Sequence, residues 1–140
     1  MTTPKKFADV ELALLRWAAA GFATEGLPQS NLGTERPLNL QELIAPEGNW
    51  FFRVERIGGR DDGVTDRAIV DVEVFALTRA VAYTRAEDVR ARLLQSPHRV
   101  DGPRVVILDD VFTERAPTRL PAEDENLNRY TATYRISARR

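Results

Sequence analysis

WFFRVERIGG (Trp50–Gly59), RDDGVT (Arg60–Thr65) and DRAIVDVEVFA (Asp66–Ala76) read together as two strands joined by a polar loop. In the second strand Ala68, Val70, Val72, Val74 and Ala76 fall on one side, with Asp71 and Glu73 on the other. That period of two belongs to a half-buried strand. For Phe52 and Val54 to join the apolar side, paired residue numbers must sum to an even value, since a slip of one residue turns a whole row outward. Arg53 then lies opposite or diagonal to Asp71 or Glu73. The other face carries Phe51, Ile57, Ile69 and Phe75 at its two ends, with charges between them. A purely solvated face has no need of four large apolar residues. Two explanations stay open: helices cover both faces, or a second subunit covers part of this one.

On either side of this hairpin the chain supplies helices and further strands. Thr2, Thr3 and Pro4 suit a helix N-terminus, and FADVELALLRWAAAGF predicts a helix over Phe7–Ala20 with Gly21 as its stop. Its apolar stripe is Val10, Leu14, Trp17 and Ala18. Residues 23–49 turn to Gly, Pro, Asn and Ser; Pro28, Pro37 and Pro46 limit them to one short element, LNLQELI (Leu38–Ile44), as a strand or a single helical turn. So long a connection is a candidate contact region. After the hairpin, Ala82, Ala86, Val89 and Leu93 recur at helical spacing, with Thr78 as N-cap and Ser96-Pro97 as the stop. HRVDGP (His98–Pro103) reads as a turn, VVILDDVF (Val105–Phe112) as a central strand, and Thr113–Asn128 as a polar loop. In RYTATYRISARR, Tyr130, Ala132, Tyr134, Ile136 and Ala138 alternate with polar residues, the clearest strand pattern in the chain. The expected fold is α+β in the order α-β-β-α-β-β: a four-stranded antiparallel or mixed sheet packed with two main helices, in one domain spanning residues 1–140.

A chain of 140 residues that is 43% hydrophobic has the means to bury a core. Twenty basic against 21 acidic residues leave a net charge of −1, so no global field draws it to nucleic acid or to a membrane. The absence of cysteine excludes disulfides, thiolate catalysis and Cys-bound metal, and favours a reducing compartment. With neither a signal-peptide pattern nor a membrane-length apolar run, the expectation is a soluble protein that stays where it is made.

Catalytic candidates are few. His98, the single histidine, has no recognisable nucleophile to serve and reads as a surface residue. Asp109 and Asp110 are adjacent in a strand, which sends them to opposite faces, and Asp61 and Asp62 fit turn chemistry beside Gly63. Gly58-Gly59-Arg60 lacks the context of a phosphate loop. The expectation is a protein that is not an enzyme and takes no cofactor and no metal.

RVERIGGRDDGVTDRAIVDVEVFALTRAVA resembles the tail terminator proteins of long-tailed (siphovirus-type) bacteriophages, of the kind found in actinobacterial phages. The matching positions are Gly58, Gly59, Asp66, Arg67, Val70, Asp71, Val72, Val74, Phe75 and Ala76. The closing N-x-x-R-Y-T-A-T-Y-R-I (Asn126–Ile136) and the N-terminal D-V-E-x-A-L-L agree with the family, whereas residues 23–49 match it poorly. The resemblance implies a virion protein, assembled in the host cytoplasm and placed at the head–tail junction. There a homohexameric ring would cap the tail tube, stop its polymerisation and offer the head-joining surface. Implied partners are further copies of the chain, the tail tube protein and the connector or neck proteins; DNA would only pass through the lumen, and no membrane is involved. A ring needs two different patches per subunit. Candidate subunit or tube contacts are Phe51, Ile57, Arg60, Asp61, Asp62, Ile69 and Phe75, with the segment before Trp50 as the second patch. The alternatives are another neck subunit (head closure or connector), a small hydrolase, and a nucleic-acid-binding regulator, the last two opposed by the missing catalytic groups and missing basic face.

Overall fold

In the computed structural model, which describes residues 6–121 and 126–140, the chain runs α1 (Val10–Phe22), a 3₁₀ turn (Gln29–Asn31), β1 (Leu32–Gly33), α2 (Leu40–Ile44), β2 (Phe51–Asp61), β3 (Asp66–Ala76), α3 (Arg79–Leu93), β4 (His98–Val100), β5 (Val106–Leu120) and β6 (Asn128–Arg139). The hairpin pairs as the alternation requires. Phe51 faces Phe75, Phe52 faces Val74, Arg53 faces Glu73 and Val54 faces Val72. The even-sum rule holds from Phe51 to Arg56 and then ends at a bulge between Arg56 and Gly58.

The expected four-stranded sheet with two helices is corrected to six strands and three helices among the described residues, in the order β1-β2-β3-β6-β5-β4, curled into a half-barrel. The sheet is mixed, because β1 pairs in parallel with β2 while every other pair is antiparallel. The two added strands are edges of two and three residues, too short to show a period. The predicted turn over His98–Pro103 therefore begins with β4. The third predicted strand is longer than Val105–Phe112 and is not central: β5 continues to Leu120, through the first half of the predicted loop Thr113–Asn128. Pro117 is tolerated there because it falls in a register break, on a stretch of β5 whose other edge is unpaired beyond Leu108. Residues 122–125 of that predicted loop, and the predicted helix start at Thr2–Pro4, lie outside the described residues.

On one face of the sheet α1 covers β2, and α3 covers β3, β6 and β5. Of the α1 stripe read from the sequence, Val10, Leu14 and Ala18 are buried and Trp17 is only partly so, with Ala13 and Phe22 completing the buried row. The α3 stripe, Ala82, Ala86, Val89 and Leu93, is buried as read, and both pack against Val54, Val70, Val72, Tyr134 and Ile136. Asp9 caps α1 by accepting from Leu12 N, and Thr78 caps α3 by accepting from Val81 N. α1 runs through Gly21 to Phe22, whose ring lies under the Arg92 guanidinium at 4.1 Å.

Residues 23–49 are held by their own chain. Buried Asn31 donates to Leu43 O (2.9 Å) and Trp50 O (3.1 Å), and the indole of Trp50 donates to Glu25 O (2.9 Å). Of the two forms open to LNLQELI, the chain takes the helical turn.

Candidate assembly surface

The face away from α1 and α3 divides into three zones along the strands. At one end Phe51 and Phe75, each 2% exposed, are covered by Leu40 and Ile44 of α2 together with Leu127. The cover comes from the same chain, so of the two explanations for this apolar face, its own polypeptide accounts for this end. In the middle, buried Glu73 accepts from Arg53 Nη1 (2.9 Å), Arg129 Nε (2.9 Å) and Arg129 Nη2 (3.0 Å), and Thr133 donates to Asp71 Oδ1 (2.5 Å). In what looks like a solvated stripe in the sequence, Glu73 is thus held between two arginines and Asp71 is hydrogen-bonded by a hydroxyl.

The third zone is open. A groove of about 410 Å³ is lined by Arg60, Arg67, Ile69, Phe112 and Arg135. Phe112 is 64% exposed, and Ile57, at the β2 bulge, is 52% exposed. Gly59 lets β2 approach β3 here: its φ is +115°, and an added Cβ would sit 2.1 Å from Arg67 O. Arg135 forms a 2.6 Å bond to Glu114, which holds that carboxyl below its usual range and the guanidinium above its own. Arg67 is 3.5 Å from Asp62, and Arg60 has no ionic partner among the described residues.

Of the residues singled out from the sequence, Arg60 and Ile69 meet in the groove, while Phe51 and Phe75 lie at the covered end. β2 extends to Asp61, so the loop is shorter than Arg60–Thr65. Asp61 accepts from Gly63 N (3.0 Å), and Asp62 from Val64 N (3.0 Å) and Thr65 N (2.7 Å); these backbone donors hold the Asp62 carboxyl below its usual range. Their carboxylates shape the turn.

Two prominent residues were not singled out. A β5 bulge between Leu108 and Asp110 reverses the alternation, so Phe112 registers with Arg135 instead of joining Val106 and Leu108 inside. The same bulge corrects the reading of Asp109 and Asp110: they are not on opposite faces, since Asp109 bonds Arg139 (2.7 Å) and Asp110 registers with Ser137, both second-face positions. The other residue is Leu38, 109% exposed just before α2. Glu35, Glu42 and Glu47 near it in sequence are exposed and have no ionic partner among the described residues. A leucine flanked by Pro37 and Asn39 carries no sequence signal separating an exposed tip from a core anchor.

His98 Nε2 lies 2.8 Å from Leu93 O and its ring 5.6 Å from that of Trp17, which ties α3 to α1. Among the described residues no group of three His, Asp or Glu side chains is placed to hold a metal, and no helix is long and apolar enough to cross a membrane.

No protein-family model matches this chain, and no curated protein does. Among solved structures, the fold is similar to that of a chain in the virion of a native gene transfer agent (GTA) particle, with a TM-score of 0.58, 14% sequence identity and 96% of each chain covered. At that identity the likeness establishes a shared fold, and it runs nearly the whole length of both chains.

Proposed function

We propose that this chain is a structural virion subunit, and within the virion a tail terminator: a ring, hexameric in the family it resembles, that caps the tail tube, stops its polymerisation and offers the surface to which the head joins. The observation that carries the virion role is the fold likeness to a gene transfer agent virion chain over 96% of both molecules. The position in the tail rests on the hairpin and closing-strand motifs quoted above. One end of this sheet face is covered by the chain itself and the other is left as an arginine-rimmed apolar groove, as suits a subunit whose work is association. In this reading the protein is no enzyme and takes no cofactor. Its partners are copies of itself, the tube protein and the neck proteins, with DNA passing only through the lumen.

A tube grows because its end presents a repeating unsatisfied surface, and growth stops when something different occupies that end. The test is electron microscopy of lysates from a phage with an early stop codon in this gene. We expect intact heads beside headless tails that exceed normal length. Tails of normal length with heads that leak DNA would instead identify a head-closure subunit, and normal tails on attached heads would end the virion-neck reading.

A further inference from the structure

The face of the sheet that α2 covers at one end continues, along β3 from Phe75 to Ile69, for roughly 20 Å to the open groove. The covered end shows what kind of cover this face accepts. Leucine and isoleucine of a short acidic segment seat over its aromatic rings, and Arg36 of the same segment lies 5.7 Å from the Phe75 ring centre. The groove offers the same chemistry without an occupant: Ile69 and Phe112 as floor, and Arg60, Arg67 and Arg135 at the rim. The matching surface is on the chain itself. Leu38 projects fully into solvent, and Glu35, Glu42 and Glu47 near it have no cationic partner among the described residues. The tip segment is thus net acidic, with Arg36 engaged over Phe75, and the groove rim is basic through Arg60, since Arg67 and Arg135 already pair with Asp62 and Glu114. Tip and groove lie towards opposite ends of one sheet face, too far apart to meet within one molecule.

We propose that Leu38 and its acidic flank in one copy seat in the Ile69–Phe112 groove of the next. Resting on the ring reading above, this supplies its heterologous contact. Patch and counter-patch differ, so every copy added leaves one free tip and one free groove until the ring closes. The apolar seat supplies attraction, and the arginine rim against the glutamates sets orientation.

The chain has no cysteine, so positions can be labelled one at a time. Asn39→Cys beside the tip and Asp110→Cys beside the groove, which leave Leu38 and Phe112 in place, are prepared separately and as a double variant, and circular dichroism verifies that each is folded, as expected for two exposed side chains. A short bis-maleimide is then added to the purified protein at high concentration. The double variant is expected to give a ladder of linked species ending at a closed ring, and the two single variants a linked dimer only when mixed. Arg60→Glu in the double variant should thin the ladder, and Glu42→Arg added to it should restore it. Dimers from Asn39→Cys alone would mean a two-fold contact and overturn the proposal, as would a double variant that never links. A missing ladder combined with failure of Phe112→Glu to attach to tails would give the groove to the tube protein instead. Tail length in the stop-codon phage is read independently. Capped tails without cross-links sink only this contact, and cross-linked rings with normal-length tails sink only the terminator role.

Discussion

Glu73 accepts from two arginines, and its neighbours leave it little water. Replacing it with alanine leaves Arg129 without an ionic partner among the described residues, while Arg53 keeps Glu55 (3.1 Å) and Thr34 O (3.1 Å). Because both guanidinium groups keep some solvent, at 20% and 32% exposure, the loss stays below that of a fully buried pair and should be about 2 kcal/mol. Urea denaturation of Glu73→Ala against wild type measures it, and equal midpoints would show that the network contributes nothing. Its outline was legible beforehand: the hairpin parity put Arg53 opposite or diagonal to Asp71 or Glu73, and the structure selects Glu73. Arg129 was not, because pairing between β3 and β6 brings together residues far apart in sequence that no local pattern connects.

Between α3 and the segment after α1, Glu25 forms a two-point bond with Arg92 (2.7 and 2.8 Å), and Arg85 stands 3.4 Å away. The hydrogen bond from Arg92, with the charges of both arginines, draws the Glu25 carboxyl below its ordinary value of 4.5. A group whose folded value is depressed adds stability above its unfolded value, and that stability is lost as pH falls through the folded one. Glu25→Gln should therefore melt below wild type at neutral pH, and the gap should close below pH 4.5. Thermal melts across that range check it, and a gap unchanged in acid would remove the ion pair as its cause. Elements with an unbroken period were readable: α3 with its Thr78 cap, and β6 throughout. Elements with a break were readable only in part. β5 changes register three times and contains Pro117, so its first half reads as a strand while the half after Phe112 looks like loop, and its bulge at Asp109 hid the exposure of Phe112, the residue that defines the groove.

For the whole molecule, the sheet order β1-β2-β3-β6-β5-β4 places β6 between β3 and β5, both of which precede it along the chain. Synthesis therefore delivers the two flanks of the sheet before the strand that joins them. Until β6 leaves the ribosome, β3 and β5 each present an unpaired edge, and Val70, Val72, Val74 and Val111 lack their neighbours Tyr134, Ala132, Tyr130 and Ile136. Nascent chains stalled with β1–β5 exposed should be digested rapidly by protease and should recruit chaperones, and those stalled after Arg139 has emerged should resist. Equal resistance would mean that the β2–β3 hairpin folds on its own with α1 and α3. Translation thus works as a timer on this protein: no chain has a finished sheet to offer a neighbour before β6 has been read, so the assembly proposed above would wait for completed chains and not begin on the polysome with half-made ones.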